Sequence, residues 1–171
     1  NIKSATVNTS FKKIDGGRSI LLNSKYSNQY GASGDNALID FLKGSANFRT
    51  GYWQGYYASD FSAIVDLGRI EPVKKISVGA LQEIKSWIWF PKSVKISYSE
   101  NNETFKVLAT IKNDFADNEY GGFTKEFSKI VNETIYARYI KIEAVNYGVC
   151  PGWHPGSGND TWMFFDEIEV E

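Results

Sequence analysis

Residues 93–99 read Ser-Val-Lys-Ile-Ser-Tyr-Ser and carry the clearest secondary-structure signal in the chain. Val94, Ile96 and Tyr98 occupy every second position, with polar residues between them. Because successive side chains of an extended strand point to opposite faces, this alternation predicts a β-strand with one apolar face and one polar face. The polar residues 100–103 follow directly and predict a turn.

The same period of two recurs on both sides of this segment, whereas no long segment shows the 3.6-residue period of a helix. In the last segment, we expect Ile168 and Val170 to face inward and Glu167, Glu169 and Glu171 to face outward. Many short strands joined by polar turns predict an all-β sandwich or barrel. The alternating segments are residues 61–67, 73–80, 105–111, 122–127, 135–145 and 164–171.

The composition is that of an ordinary globular domain and excludes several classes of protein. A length of 171 residues is enough for one domain with a substantial core. Hydrophobic residues are 42% of the chain and charged residues 23%, as in ordinary globular proteins. The net charge is −1, so no basic footprint for nucleic acid is present. No run approaches the roughly 20 apolar residues of a spanning helix, and we do not expect membrane binding.

The single cysteine and the single histidine limit the available chemistry. Cys150 has no partner for an internal disulfide, and a cysteine-rich zinc site is excluded. Ser157 lies outside any Gly-x-Ser-x-Gly motif, and a serine triad would have only His154 as its base. A carboxylate pair for glycoside hydrolysis stays open, because its separation is a three-dimensional property. The chain starts at Asn1, and we expect a processed protein or a piece of a longer one.

Four of the five tryptophans lie where the predicted strands end, at positions 53, 87, 89 and 153. A flat apolar ring beside hydrogen-bonding side chains suits a sugar, whose C–H face stacks while its hydroxyls bond to neighbours. The alternative is core packing, since aromatic rings often fill cores. We expect one member of each of the pairs Trp87/Ile88 and Trp89/Phe90 to point inward. We expect Trp162 to belong to the core, and Trp153 with His154 to be exposed.

Several motifs, taken in order, resemble the coagulation factor V/VIII type C domain, also called discoidin. Within that family, the order is most similar to the family 32 carbohydrate-binding modules attached to bacterial glycoside hydrolases. The resemblance covers about residues 30–171, and we expect residues 1–29 to be a linker or an outer strand. The motifs are Ala37-Leu-Ile-Asp40, Ala63-Ile-Val-Asp-Leu-Gly68, Ser93-Val-Lys-Ile-Ser-Tyr-Ser99, Ala137-Arg-Tyr-Ile-Lys-Ile142 and Phe165-Asp-Glu-Ile-Glu-Val170.

The resemblance implies an eight-stranded antiparallel jelly-roll sandwich of the galactose-binding-like type. It implies a non-catalytic, monomeric module, joined covalently to a secreted, periplasmic or cell-surface glycoside hydrolase of hexosaminidase or galactosidase type. Its partner would be a glycan that contains galactose or N-acetylhexosamine. The sugar site would lie in the loops at one end of the sandwich.

The resemblance also implies a structural calcium ion. The matching ligands are the Ala37 carbonyl, Asp40 and Glu167, which supply the oxygen atoms that Ca²⁺ prefers. Phe41 stands where the family usually has glycine, so the path of this loop and the remaining ligands stay open. The alternative is that Asp40 caps its own turn and Glu167 is a solvated strand residue.

For the sugar site, the resemblance points to the loops at 81–91 and 146–161, with Arg49 in an earlier loop within reach. Neutral imidazole both donates and accepts a hydrogen bond, which suits His154 to reading hydroxyls. The complete set of predicted contacts is Trp87, Trp89, Asn146, Tyr147, Trp153, His154 and Arg49.

Two other functions stay open at this stage. The first is an adhesion domain of the discoidin type that binds protein or phospholipid, although only Lys85 and Lys92 lie near the aromatic loops to attract an anionic surface. The second is a small stand-alone hydrolase.

Overall fold

Seven strands, paired throughout in antiparallel ladders, form the part of the chain that the structure describes, residues 17–171 of a computed structural model. The four short helical turns between them are of the 3₁₀ type. The strands are β1 (Ser19–Leu22), β2 (Gln54–Tyr57), β3 (Phe61–Gln82), β4 (Ser93–Ser99), β5 (Lys106–Lys112), β6 (Phe123–Val145) and β7 (Trp162–Val170). The turns span Asn28–Tyr30, Ala37–Ile39, Phe48–Thr50 and Ile84–Ser86.

The strand pairing defines two layers of a sandwich. One layer has the order β2, β7, the second half of β3 and the first half of β6. The other layer has the order β1, the first half of β3, the second half of β6, β4 and β5. The predicted all-β sandwich is therefore confirmed.

The strand count differs from the expected eight because β3 and β6 are long and belong to both layers. Their ladder shifts register between Asp66 and Glu71 and again between Val73 and Lys75. Such bulges bend a strand and let one continuous strand cross from one layer to the other. Residues 61–67 and 73–80, predicted as separate strands, are both part of β3, and residues 122–127 and 135–145 join in β6 in the same way.

The core lies between the layers and follows the alternation in the sequence. Val94 and Ile96 of β4 are buried against Ile140 and Ile142 of β6, as the period of two predicts. A second apolar cluster covers the outer face of β7 and contains Trp53 and Phe164 among its buried rings. Burial of apolar side chains on this scale is the main stabilising contribution to such a fold.

The N-terminal segment contributes an edge strand. Ser19–Leu22 pairs with residues 63–66 of β3 and lies within the segment expected to be a linker or an outer strand. Residues 1–16 lie outside the described part of the chain, so the proposed boundary at residue 29 stays a prediction. A search of the described helices found none with the length and apolar character needed to cross a membrane.

Candidate functional site

Two loops meet at the start of β7, and together they form what we call the rim: residues 83–92 and residues 146–161. Short backbone hydrogen bonds tie the rim to the sheet. The Trp89 N–H donates to the Trp162 carbonyl at 3.1 Å, and the Trp162 N–H donates to the Trp87 carbonyl at 2.8 Å. The Lys92 N–H donates to the Val145 carbonyl at 2.9 Å. The strand ends therefore place both predicted sugar loops side by side.

Of the two tryptophans in the first rim loop, only one reaches the surface. Trp89 is 0% exposed, its indole Nε1 donates to the Asp117 carbonyl at 2.9 Å, and its ring stacks on Tyr147 at 5.1 Å. Trp87 is half-buried and adopts a left-handed backbone conformation at the end of its helical turn. The expectation that one member of each pair points inward is confirmed for Trp87 and Ile88, of which Ile88 is buried. It is wrong for Trp89 and Phe90, which are both buried.

Asn146 fixes the start of the second rim loop. Its side-chain amide donates to the carbonyls of Ser59 and Thr161 at 3.2 and 3.4 Å. Its Oδ1 accepts from the Gly148 N–H at 2.7 Å and from the Thr161 hydroxyl at 2.8 Å. These bonds use the two donors and both lone pairs of the amide, so in this structure Asn146 positions the loop.

The two rings at the tip of the second rim loop differ sharply in exposure. Trp153 is 48% exposed, as expected, whereas His154 is only 4% exposed, and the expectation that His154 is exposed is wrong. The turn that begins at Pro151 directs the imidazole onto the edge of Trp89, 5.1 Å between ring centroids. Trp153 in turn meets the imidazole edge to face at 5.7 Å.

The hydrogen bonds of His154 determine its tautomer. Nδ1 accepts from the Gly156 N–H at 3.0 Å, so in the neutral ring the proton resides on Nε2. The His154 ring therefore supports Trp153 from below and holds the Gly156 backbone in place. The backbone of Gly156 must stay close to Trp87, because a Cβ at this position would lie 2.6 Å from the indole Nε1.

Polar groups surround Tyr147, the ring that stacks on Trp89. The Tyr147 hydroxyl donates to Asp117 Oδ2 at 2.6 Å, and burial together with this bond raises the pKa of Tyr147. Lys92 Nζ lies 5.9 Å from the centre of the Tyr147 ring. Sequence reasoning missed Asp117, because nothing in the pattern of residues 113–122 links it to a tyrosine 30 positions later.

Arg49 lies in a cleft whose lining contains no residue of the rim. Its guanidinium carbon is 4.2 Å above the centre of the Phe48 ring, in a cleft of about 630 Å³. The walls of this cleft come from residues 28–32 and from Phe48, Arg49, Gly51 and Trp53. None of the other predicted sugar contacts lines this cleft, although sequence reasoning had grouped Arg49 with them.

The three predicted calcium ligands belong to one region, where the loop at 33–42 meets β7. The Phe41 N–H donates to Glu167 Oε2 at 2.8 Å. Asp40 Oδ1 accepts from the Leu42 N–H at 2.9 Å, and Asp40 Oδ2 accepts from the Ser33 hydroxyl at 2.5 Å. Asp40 therefore caps its own turn, as the alternative interpretation predicted, and also lies near a second carboxylate.

Glu167 is buried, which corrects the expectation that it faces outward into solvent. The ladder between β3 and β7 shifts register between Val78 and Ala80, and this bulge turns both Asp166 and Glu167 inward. Space for Asp166 exists only because position 79 is glycine: a Cβ there would lie 2.0 Å from Asp166 Oδ1. Strict alternation cannot anticipate such a bulge, because the bulge adds one residue to the strand.

The environment of Glu167 fits a bound cation. Its Oε1 is buried without a hydrogen-bond partner, and the side chain is 2% exposed. Burial, with the nearby carboxylate of Asp40, raises the pKa of Glu167 to about 8. A buried carboxylate oxygen without a partner is costly, and a cation beside Asp40 and Glu167 would remove that cost.

Carboxylates by themselves do not complete a metal shell here. Residues 17–171 contain no group of three or more His, Cys, Asp or Glu side chains placed to hold a metal ion. Ca²⁺ takes six to eight oxygens and readily accepts backbone carbonyls. The residues present therefore fit calcium if carbonyls such as that of Ala37 supply the remaining ligands.

Two of three comparisons with known proteins found similar proteins. Residues 22–162 match the family model of the F5/8 type C domain. A search of the curated proteins found no match. Among solved structures, the family 32 carbohydrate-binding module of Clostridium perfringens NanJ, in complex with galactose, is 20% identical at a TM-score of 0.54, and the match covers 90% of this chain and 93% of that chain.

Two further modules from Clostridium perfringens are similar in structure. CpGH89CBM32-5, in complex with GalNAc-β-1,3-galactose, is 15% identical at a TM-score of 0.56, covering 91% of this chain and 95% of that one. CBM32-1 of a family 31 glycoside hydrolase is 12% identical at a TM-score of 0.56, covering 91% and 94%. At these identities, the likeness shows a common fold.

Proposed function

The chain belongs to the F5/8 type C domain family, and we propose that it is a non-catalytic carbohydrate-binding module whose rim binds glycans containing galactose or N-acetylhexosamine. The observation that carries this proposal is the exposed indole of Trp153 on a rim built of packed aromatic rings. The ligands of two similar modules, galactose and GalNAc-β-1,3-galactose, support the choice of sugars.

In the proposed mechanism, one face of a sugar ring covers the Trp153 indole. The indole is a rigid platform because His154 supports it from below, and a rigid ring loses little entropy on binding. Base stacking on an exposed aromatic ring contributes about 1–3 kcal/mol, and we expect a similar contribution here. The Tyr147–Asp117 pair and Lys92 lie at the border of the rim and offer hydrogen bonds to hydroxyls.

Such a shallow site binds weakly, with dissociation constants in roughly the millimolar to micromolar range, or about −4 to −8 kcal/mol. We propose that the module is joined covalently to a secreted glycoside hydrolase, because tethering converts weak binding into useful retention. Attachment of a similar module to a family 31 glycoside hydrolase supports this arrangement.

We assign calcium a structural role in this proposal. The Ala37 carbonyl, Asp40 and Glu167 would hold the ion. When bound, it would neutralise the two carboxylates and join the loop at 33–42 to β7. The ion would stabilise the domain without contacting the sugar at Trp153.

Replacing Trp153 tests the proposed function. Trp153→Ala removes the platform, and we expect binding of galactose or N-acetylgalactosamine to weaken by about fivefold or more, given a stacking contribution of about 1–3 kcal/mol. Trp153→Phe is the matched control, which keeps a flat ring and should keep most of the affinity. Isothermal titration calorimetry measures the affinity of each variant. Equal affinities for the native protein and Trp153→Ala would show that Trp153 does not contribute to the sugar site.

One observation favours a second function, adhesion to a protein or phospholipid surface. Phe41 and Leu42 are adjacent, apolar, and 51% and 49% exposed. Lys43 follows them, but its ammonium group is bound by Glu126 and Glu169, so it contributes little attraction for an anionic lipid headgroup. Flotation with phosphatidylserine liposomes distinguishes the two functions: co-flotation that Phe41→Ser abolishes would favour adhesion.

A further inference from the structure

The cleft around Arg49 is a concave feature that no residue of the rim lines. Its volume of about 630 Å³ lies within the usual range of small-molecule sites, roughly 300–1,000 Å³. The polar residues of its lining are Asn28, Gln29, Tyr30 and Arg49. The Gln29 amide donates to the Tyr30 hydroxyl at 3.2 Å, which links two of these groups.

Arg49 is held in place through its stacking partner. Phe48 is buried and meets the rings of Tyr30 and Phe164 edge to face at 6.0 and 5.8 Å. The guanidinium lies over this fixed ring at 4.2 Å, a cation–π contact that limits the motion of a long side chain. The Arg49 N–H also donates to Asn47 Oδ1 at 3.0 Å, which fixes the backbone of the turn.

The charge of Arg49 is not neutralised within residues 17–171. Ion pairs there involve other basic residues, and no side-chain hydrogen bond in this part of the chain uses the guanidinium of Arg49. None of the residues that line the cleft is acidic. A guanidinium offers five N–H donors in a planar fork that matches a carboxylate or a sulfate.

From these observations we infer that the Arg49 cleft binds an anionic sugar, meaning one that carries a carboxylate or a sulfate ester. The guanidinium binds the anionic group, while the amides of Asn28 and Gln29 bind hydroxyls. This inference rests on the proposed glycan-binding function. That function concerns neutral sugars at the rim, and the inference extends it to charged sugars in the Arg49 cleft. Because the net charge of the chain is −1, recognition of the anion depends on this local group.

The test uses galacturonic acid and galactose 6-sulfate as probes, with galactose as the neutral reference. Titration calorimetry gives affinities, and amide chemical shifts give the location of binding. We expect at least one anionic probe to shift amides of residues 28–32 and 48–53, and Arg49→Gln to weaken its binding by about tenfold, the effect of losing a charge-assisted hydrogen bond. Arg49→Lys should lose most of that affinity too, because lysine lacks the planar fork.

Arg69→Gln is the matched control, because it removes the same charge from an arginine that is 72% exposed and lies outside the cleft. It should leave the affinity for the anionic probes unchanged.

Equal losses of affinity in Arg49→Gln and Arg69→Gln would overturn the inference, as would anionic probes that bind no tighter than galactose. If galactose shifts rim amides while neither anion reaches the cleft, the inference fails and the proposed function stands. If none of the three sugars binds, both the inference and the proposed function are wrong.

Discussion

Calcium should stabilise this domain through Glu167, and replacing that residue by glutamine isolates the effect. Glutamine keeps the shape of the side chain and an oxygen that can accept from the Phe41 N–H. It removes the charge of the buried carboxylate, whose Oε1 has no partner in the metal-free protein. The exchange therefore removes a proposed calcium ligand while disturbing the packing around β7 very little.

The expected size of the effect follows from linkage. A ligand present at 100 times its dissociation constant stabilises the folded state by about 2.7 kcal/mol. For a domain of this length, 1 kcal/mol shifts the melting temperature by roughly 2–4 °C, so saturating calcium should raise it by about 5–11 °C. Glu167→Gln should lose most of this increase, because calcium then has only Asp40 as a charged ligand in the loop.

Differential scanning calorimetry with calcium and with a chelator measures the increase directly. Without calcium and above pH 8, where the carboxyl of Glu167 is ionised, we expect Glu167→Gln to be at least as stable as the native protein, since burying a neutral amide costs less than burying an unpaired charge. Glu169→Gln is the matched control on the same strand. It loses an ion pair with Lys43 and should be less stable in both conditions, but it should keep the full response to calcium.

Two results would refute this reasoning. The first is a native melting temperature that does not change between calcium and chelator. The second is a Glu167→Gln variant that responds to calcium as strongly as the native protein. In either case, protonation of the buried carboxyl, whose pKa is raised to about 8, would be enough to explain the partnerless Oε1 without a cation.

Two further predictions concern the scaffold. Arg138 donates to both carboxylate oxygens of Asp66 at 2.8 and 3.0 Å and lowers the pKa of Asp66. In urea unfolding at neutral pH, Asp66→Asn should therefore be less stable than the native protein. The difference in stability should disappear as the pH falls through the lowered pKa of Asp66. A difference that persists in acid would contradict a stabilising ion pair. Gly79→Ala should lower the free energy of unfolding by about 1–3 kcal/mol, because the new Cβ would overlap Asp166. Gly152→Ala is the control: it has open space around its Cβ and should leave the stability unchanged in the same assay. Equal effects of the two variants would exclude the overlap as the cause.

Much of the sandwich could be predicted from alternation. Val94 and Ile96 are buried as their spacing predicts, and so are Ile140 and Ile142. The length of β3 could not be predicted, because polar residues around Gly68 look like a turn in the sequence. In the structure, this stretch is a bulge in a continuous strand, and only its pairing with β6 reveals that.

The candidate site was harder to predict, since exposure depends on contacts between distant segments. Trp89 and His154 lie in loops with turn-forming residues, yet each packs against the other and is buried. Trp153 comes directly before His154 in the sequence and is exposed, because its ring lies on the solvent side of the buried imidazole that it contacts. Local composition is the same for both rings and cannot distinguish them.

The amino-acid sequence by itself determined the all-β fold class, because alternation is a local property that survives in any antiparallel sandwich. The two sugar loops and the calcium ligands follow from the resemblance to a family, and as binding sites they stay predictions. Only the tertiary structure decided which rings face water, that Arg49 occupies its own cleft, and that Glu167 is buried. Each of these depends on where distant strands bulge and loops meet, and a carboxylate or an indole is functional or structural according to that environment.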